Sequence, residues 1–275
     1  MVSFVVDRDM CTRCGECVKD CPVQIISLES GWPALVMERA DQCLECQHCL
    51  AVCPAGAVSV LGRNPAASQS LAGALPAMEV LETLVKGRRS VRRFQPEAVP
   101  SETIRRLLTV TAHAPTGKNH RGVLFTVVED GATMERLRQG VMEAIREAVE
   151  QERLPPRLDF FAGILKAWDK GRDIIFRRAP HLLIASASRN APTPVADCLI
   201  ALSTFDLLAT NAGLGTLWVG FAHAALGHCA PHLVRQLGIP DDHELACPLV
   251  FGVPAVRFHR TVQRDADLKL NRVVW

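Results

Sequence analysis

The segment Arg88-Arg89-Ser90-Val91-Arg92-Arg93-Phe94 places four arginines and one hydroxyl group within six residues, directly before an apolar ring. A guanidinium group donates two parallel, charge-assisted hydrogen bonds to phosphate oxygens, so this composition is typical of a compact anion site. A solvated basic surface run is the alternative, and the segment alone favours neither. The rest of the chain is needed to choose between an anion site and a solvated basic surface.

Two copies of a cysteine pattern lie upstream. The first is Cys11-x2-Cys14-x2-Cys17-x3-Cys21-Pro22 and the second is Cys43-x2-Cys46-x2-Cys49-x3-Cys53-Pro54. Three thiolates at i, i+3 and i+6 can bind three corners of an iron–sulfur cube, while the fourth, followed by proline, reaches the other cube. The spacing therefore predicts two [4Fe–4S] clusters. Their ligands are Cys11, Cys14, Cys17 and Cys53 in one, and Cys43, Cys46, Cys49 and Cys21 in the other.

Zinc would need only four ligands per ion and leaves the third cysteine of each run unexplained. Disulfides are disfavoured because nothing at residues 1–10 resembles a secretory signal. Residues 1–61 resemble bacterial two-cluster ferredoxins over their full length. We expect a short hairpin from residues 25–28 and 34–36, a matching strand at 57–60, and His48 outside the ligand set.

The whole chain has 275 residues, nearly half of them apolar, and a net charge of +2, which gives no general reason to expect nucleic acid. Residues 1–61 hold four Lys/Arg against eight Asp/Glu, while the remainder holds 27 against 21. The apolar tract at 195–226 is interrupted by Asp197 and Asp206, so it predicts buried structure and not a membrane span. Eleven cysteines without a signal peptide indicate a reducing compartment, the cytoplasm.

Residues 62–77 are rich in Ala, Ser, Gly and Pro and predict a semi-flexible linker between residues 1–61 and a larger domain at 78–275. Apolar periodicity and turn residues predict the elements of that domain. The expected helices are 78–85, ending at Gly87, 101–108, 134–151, 158–170, 193–213 and 233–237; the expected strands are 123–128, 182–185, 217–220 (strand or turn) and 246–252.

Two nucleotide-binding motifs can be excluded. The Gly117-Lys118 pair lacks the glycine that a phosphate loop needs at position 112 and the Ser/Thr it needs at 119, where the chain has Ala112 and Asn119. Gly213-x-Gly215 lacks the third glycine of a dinucleotide fingerprint. A built-in nicotinamide dinucleotide fold is therefore not expected.

The motifs RRSVRRF, APTGKN, GLGTLWVG and FGVP follow one another in the order that is typical of the nitroreductase family of FMN enzymes, and residues 78–275 resemble that family. With the cysteine repeat in front, the whole chain resembles ferredoxin–nitroreductase fusions. The resemblance implies an α+β fold, a mainly antiparallel sheet flanked by helices, in an intertwined homodimer. Each C-terminal tail would add a strand to the partner's sheet, and the two FMN sites would lie at the interface.

The resemblance also implies roles for single residues. For the FMN phosphate and ribityl chain it implies Arg88, Arg89, Ser90 and Arg92, with a tail arginine, Arg260 or preferably Arg264. Against the flavin it implies Thr116, Gly117 and Asn119 from the partner subunit, and Trp218, Val219 and Gly220 with backbone N–H groups near the ring. Family members have Gln-Pro shortly after this asparagine, whereas this chain has His120-Arg121-Gly122. An ordinary core aromatic is the alternative for Trp218.

His223, three residues after Gly220, is the candidate for a substrate-side residue. A zinc site at His223, His228, Cys229 and His232 matches no ligand spacing, and Cys198, Cys229 and Cys247 are read as buried thiols. The predicted function is reduction of an electron-poor small molecule (nitroaromatic, quinone or enone) by FMN, fed through the clusters by a low-potential donor such as ferredoxin. The alternatives are direct reduction by NAD(P)H, a non-catalytic electron-transfer subunit, and a zinc-binding interaction module.

Overall fold

The computed structural model describes residues 2–275, so residue 1 of the predicted first domain lies outside the described residues. The chain divides into two compact units. The first runs to Pro76 and includes Lys118–His120, and the second comprises Ala77–Gly117 and Arg121–Trp275.

The first unit is built around the cysteine runs. Its elements are strand β1 (Phe4–Val6), helix α1 (Glu16–Lys19), strands β2 (Ile26–Ser27) and β3 (Ala34–Leu35), helix α2 (His48–Ala51) and strand β4 (Val58–Val60). The predicted hairpin forms, since β2 pairs antiparallel with β3. Strand β4 pairs antiparallel with β1, a three-residue strand that the sequence did not predict. In each cysteine run a one-turn helix carries the third cysteine, which is buried at Cys17 and half-buried at Cys49.

The second unit contains longer helices and a sheet. The helices are α3 (Met78–Gly87), α4 (Ser101–Thr111), α5 (Gly131–Glu150), α6 (Phe160–Trp168), α7 (Pro194–Asn211), α8 (Gly220–His228) and α9 (Pro231–Gln236). The strands are β5 (Leu124–Val128), β6 (His181–Ser188), β7 (Gly215–Trp218), β8 (His243–Leu245) and β9 (Leu249–Gly252). In the described part of the chain, these strands form one sheet in the order β5-β6-β9-β7, with β8 also paired to β6.

All strand pairs of this sheet are antiparallel. Strand β6 is buried on both faces, which explains its unbroken apolar run. Leu182 and Ile184 enter a core that α5, α6 and α8 cover, whereas Leu183 and Ala185 enter a second core that α4 and α7 cover. The expected antiparallel sheet flanked by helices is therefore the observed architecture.

Several predicted boundaries were wrong. The predicted strand at 246–252 begins only at Leu249, because Pro248 cannot donate a ladder hydrogen bond. The segment predicted as strand or turn at 217–220 divides into strand β7 and the start of helix α8, and α8 itself was missed, as was β8. The tail after Gly252 contains no strand and is mostly exposed. No helix in residues 2–275 has the length and apolar character needed to cross a bilayer.

Candidate functional site

The arginine segment runs alongside strand β7. Ser90 forms a parallel bridge with Thr216, and the Val91 N–H donates a 2.8 Å hydrogen bond to the Thr216 carbonyl. Val91 is buried against Gly215, where an added Cβ would come within 2.6 Å of the valine side chain. Gly215 therefore permits the close approach that fixes the arginine segment in place.

The charges of three arginines act on one another at the start of this segment. Partial burial, together with the neighbouring guanidinium groups of Arg264 and Arg88, lowers the pKa of Arg89 from its ordinary value. The tail that carries Arg264 also reaches α3, where Lys86 Nζ lies 3.4 Å from an Asp265 carboxylate oxygen. Arg260 and Arg264, the two predicted tail arginines, are both exposed, and of the two only Arg264 affects the pKa of Arg89. An anion that binds among these positive charges would reduce their mutual repulsion.

A buried carboxylate organises the neighbouring wall. Asp206, on α7, is 4% exposed; one oxygen accepts a hydrogen bond from the Thr216 hydroxyl. Its other oxygen accepts a 3.0 Å hydrogen bond from Trp218 Nε1 and lies 3.4 Å from Arg88 Nη1. Asp206 thus links α7, strand β7 and the arginine segment through a single buried carboxylate. Sequence reasoning missed this role, although an acid inside an apolar helix signals a buried carboxylate that needs partners.

Beside Trp218 lies an open cavity of about 520 Å³, a size within the range of small-molecule sites. Its lining comprises Arg92, Ile174, Ile175, Arg177, Leu217, Trp218, Val219, Gly220 and Phe221. Arg92, Trp218, Val219 and Gly220 were predicted at the cofactor. One detail of that prediction was wrong: the Val219 N–H is not available to a ring, because it donates to the Pro248 carbonyl at 2.9 Å. Helix α8 begins at Gly220, so the N–H groups of its first turn lack intrahelical acceptors.

The loop with Thr116 and Gly117 is held by a second buried aspartate of α7. Asp197 accepts a 3.0 Å hydrogen bond from the Gly117 N–H and a 2.7 Å hydrogen bond from the Thr193 hydroxyl. A Cβ at position 117 would approach Thr193 Oγ1 to 2.2 Å, so this position requires glycine. The Thr116 hydroxyl accepts from the Arg121 N–H.

Asn119, the third residue predicted in this loop, belongs by its contacts to the first unit. Its side-chain amide donates a 2.8 Å hydrogen bond to the Leu44 carbonyl, between Cys43 and Cys46. In this structure, therefore, the amide group contacts the second cysteine run.

The cysteines form two neighbouring groups in the first unit. Cys21, from the first run, lines one cavity together with Cys43, Cys46 and Cys49 of the second. Burial raises the pKa of the Cys49 thiol to about 11, and nearby Cys46, Cys17 and Cys21 add to the effect. These four thiols therefore face one shared cavity.

The other group surrounds Cys17. Burial raises the pKa of this thiol, and the proximity of Cys53, Cys11 and Cys14 raises it further. Cys53 Sγ also accepts a hydrogen bond from the Ala57 N–H at 3.2 Å. Four thiols around one space can hold a cube of iron and sulfide, whose positive irons would stabilise the thiolates.

His223 is exposed on α8 and is not part of the cavity lining, where Phe221 stands instead. His228 lies 3.3 Å from Arg157 Nη2. Within residues 2–275, no three His, Cys, Asp or Glu side chains are arranged around a single-ion site. Burial raises the pKa values of the Cys198, Cys229 and Cys247 thiols, and for Cys198 the value is about 11.

An oxidoreductase with an iron–sulfur unit of its own is the class of protein that these arrangements define. Residues 85–253 match the nitroreductase family, and residues 10–58 match the 4Fe-4S dicluster domain. The first match covers more than half of the chain, and the chain therefore belongs to the nitroreductase family.

The similar proteins are consistent with this assignment. Nitroreductase NfnB of Mycolicibacterium smegmatis is 28% identical over 199 residues, which are 63% of this chain and 82% of the relative. An iodotyrosine deiodinase of Thermotoga neapolitana is 28% identical over 145 residues, 51% of this chain and 73% of the relative. The structure of a Bacteroides fragilis nitroreductase with bound FMN has a TM-score of 0.56 at 22% identity, covering 71% of this chain and 100% of that one. This last likeness shows the fold.

The matches confirm the resemblance inferred from the order of the motifs. The cysteine unit is a two-cluster [4Fe–4S] domain, and the chain is an oxidoreductase.

Proposed function

We propose that this chain is an iron–sulfur flavoprotein that takes electrons from a low-potential one-electron donor and delivers them in pairs to an electron-poor small molecule. The acceptors would be nitroaromatics, quinones or similar compounds. The observation that carries the proposal is that one carboxylate oxygen of Asp206 contacts both Arg88, in the arginine segment, and Trp218, in the wall of the cavity. When bound, FMN would supply two-electron chemistry that the clusters alone cannot.

The chain's residues fit FMN at both ends. The arginine segment runs beside β7 at Ser90 and Val91, and four steps of extended chain span roughly 13 Å at about 3.3 Å per residue, a length that would suit a cofactor lying from phosphate to ring. Arg88, Arg89 and Arg264 would bind the phosphate, with Ser90 beside it. Arg92, Trp218 and Gly220 would border the ring. Asp206 would hold Arg88 and Trp218 in position, so that both ends of the site depend on one carboxylate.

The cysteine unit would relay single electrons. Cys11, Cys14, Cys17 and Cys53 would hold one cluster, and Cys43, Cys46, Cys49 and Cys21 the other. The surplus of four negative charges in residues 1–61 would steer a basic surface of the donor toward the clusters. Because this thiolate chemistry needs a reducing environment, we place the reaction in the cytoplasm.

We further propose a homodimer. Helices α3 and α7 contact each other, and each exposes apolar side chains, among them Val80 and Val85 on α3 and Leu199 and Ile200 on α7. The tail also ends in exposed apolar residues, with Trp275 fully exposed. Several exposed apolar side chains on two helices in contact are typical of an interface. Thr116 and Gly117 would then contact the partner's cofactor.

Sedimentation of the holoprotein tests the dimer. The wild type should sediment as a dimer, and Ile200→Glu should shift it toward a monomer because a carboxylate would be buried at the interface. Asp241→Glu, at an exposed position, serves as the control. A wild-type monomer at micromolar concentration would contradict the proposal.

Anaerobic stopped-flow spectroscopy tests the function. Mixing the protein with a reduced low-potential ferredoxin should bleach the cluster and flavin bands, and adding 4-nitrobenzoate or a quinone should restore them. Rapid flavin bleaching by NADH or NADPH, with slow bleaching by ferredoxin, would favour the nicotinamide-dependent alternative. A reduced protein that transfers electrons to no nitro compound or quinone would favour a non-catalytic relay.

A further inference from the structure

The loop before strand β6 has a backbone that its own residues force into an unusual shape. The buried Asp173 carboxylate accepts hydrogen bonds from the Phe176 N–H and the Arg178 N–H, both at 2.8 Å. Arg138 Nε lies 3.4 Å from the same carboxylate. The loop is thus anchored immediately before and immediately after Arg177.

Arg177 itself has a left-handed backbone, with φ of 57°, and Arg178 follows with φ of 53°. Two consecutive residues with side chains in this region are disfavoured, and such strain persists only where the surroundings enforce it. Residues held this way occur disproportionately at functional sites. The hydrogen bonds to Asp173 hold this strained backbone in place, and they thereby fix the position of the Arg177 side chain.

Arg177 lines the cavity beside Trp218. Its Nε is buried and has no hydrogen-bond partner among residues 2–275. A buried donor without a partner is costly, and because this Nε is enclosed by protein, a ligand in the cavity would meet the terminal Nη groups of the half-buried side chain. The side chains around it include the apolar Ile174, Ile175, Leu217 and Phe221, and the described lining contains no carboxylate.

We propose that Arg177 binds a carboxylate of the acceptor, so that the cavity selects planar, electron-poor aromatic compounds carrying an anionic substituent. The proposal rests on the proposed function, because it assumes that the acceptor enters this cavity. The apolar side chains suit an aromatic ring, and the guanidinium fork matches the two oxygens of a carboxylate. The cofactor phosphate already has Arg88, Arg89 and Arg264, and Arg92 belongs to their segment; Arg177 comes from a separate loop.

The test compares 4-nitrobenzoate with its neutral analogue 4-nitrobenzamide in the full-length holoprotein, using reduced methyl viologen as the electron donor. For Arg177→Met, kcat/KM for 4-nitrobenzoate should fall about 10- to 100-fold, which corresponds to the loss of charge-assisted hydrogen bonds. The value for 4-nitrobenzamide should change less than threefold. Arg172→Met is the matched control, since Arg172 is exposed on the same loop and outside the cavity lining.

Equal losses for both acceptors, or no loss for either, would overturn the proposal. Equilibrium dialysis of 4-nitrobenzoate and 4-nitrobenzamide against the oxidised protein separates it from the proposed function. Preferential binding of the benzoate that Arg177→Met abolishes, without turnover in the wild type, would support the anion site while contradicting the enzymatic function. Turnover of both acceptors without preferential binding of 4-nitrobenzoate would support the enzymatic function and contradict the anion site. If Arg177→Met does not fold, Arg177→Lys should keep the fold and part of the preference for 4-nitrobenzoate. A lysine variant that keeps the whole preference would contradict the role of the two-pronged guanidinium group.

Discussion

The two units of this chain differ in what holds them together. The apolar cluster at the centre of the first unit has four buried members, Cys17, Ile25, Ile26 and Val58, with half-buried neighbours that include several cysteines. Four further buried residues of this unit lie outside that cluster: Ala40, Leu50, Ala57 and Val60. The second unit has two extensive apolar cores, one on each face of its sheet. A core as small as that of the first unit rarely stabilises a domain without metal centres. Its fold and its function therefore depend on the same eight thiols.

In the second unit, stability and function are more separable. Of the cofactor candidates, Val219 belongs to one core and Trp218 packs against the other, while the arginine segment lies at the edge of the sheet near the buried Asp206. Losing a cofactor should empty this site without unfolding the unit, whereas losing a cluster should unfold much of the first unit. The following predictions test this difference, beginning with the largest effect.

The largest effect is expected for the cluster ligands. Cys21→Ser should remove the same cluster as Cys46→Ser, because Cys21 faces the space that the second run encloses. Each variant should lose about four of eight irons per chain and show a first unit that is easily cleaved by protease. Iron analysis, paramagnetic resonance and limited proteolysis measure these outcomes.

Cys247→Ser is the control, since this half-buried thiol belongs to the second unit and should leave the iron content unchanged. Finding that Cys21→Ser removes the cluster of Cys11, Cys14 and Cys17 instead would contradict the crossed ligand assignment. Unfolding of the second unit in either variant would contradict the separation between the two units.

The next effect concerns the buried charge of the second unit. Asp206→Ala should lower the free energy of unfolding by about 2–4 kcal/mol, because the Thr216 hydroxyl, the Trp218 indole and Arg88 lose a shared partner. It should also weaken FMN binding. Denaturant unfolding with and without FMN measures both, and Asp241→Ala, at an exposed position, is the control. An unfolding free energy within 0.5 kcal/mol of the wild type, the usual range for surface substitutions, would show that Asp206 does not organise the site.

A smaller effect separates the two tail arginines. Arg264→Gln should raise the Kd of FMN about tenfold or more, because the charge of Arg264 acts on Arg89, while Arg260→Gln should change it less than threefold. Neither variant should alter the melting temperature of the cofactor-free protein. Titration of the cofactor-free protein with FMN gives both constants. Equal effects would mean that the arrangement of the tail does not determine phosphate binding.

The fold was largely predictable where one physical signal dominated. The apolar run of β6 and the long helices α5 and α7 follow from hydrophobic patterns that hold over many residues. Helix α8 was missed because Gly220 and Gly227 interrupt a stretch without a polar face. Strand β1 was missed because three residues are too few for a pattern to show.

The candidate site was predictable only in its motifs. The arginine segment and the cysteine runs carry their chemistry in local spacing, and sequence alone identifies them. The partners of Asp206 do not follow from spacing, because Arg88 lies more than a hundred residues away and Thr216 meets Asp206 only after β7 joins the sheet. The approach of Arg264 to Arg89 and the strained loop around Arg177 likewise result from tertiary packing.

The smallest effect is a pH dependence confined to the second unit. His181 is fully buried at the start of β6, where its Nε2 accepts a 2.8 Å hydrogen bond from the Val99 N–H and its ring stacks on Phe251. Burial lowers the pKa of His181, and the carbonyl of Val128 and the charge of Glu129 only partly oppose this. The folded state therefore keeps the imidazole neutral at a pH where the unfolded chain binds a proton.

Stability should consequently be complete above about pH 6.5, the ordinary histidine pKa, and should decrease as the pH falls from there toward the depressed folded pKa. His181→Gln, which keeps an acceptor for Val99, should be less stable at pH 7.5 but should lose less stability than the wild type between pH 7 and 5. Denaturant unfolding of the second unit, followed by tryptophan fluorescence at each pH, measures the two slopes. If the unfolding free energies of both proteins fall equally with pH, other groups control the acid sensitivity of the second unit. That unit would then have no single buried base as important to it as the thiols are to the first.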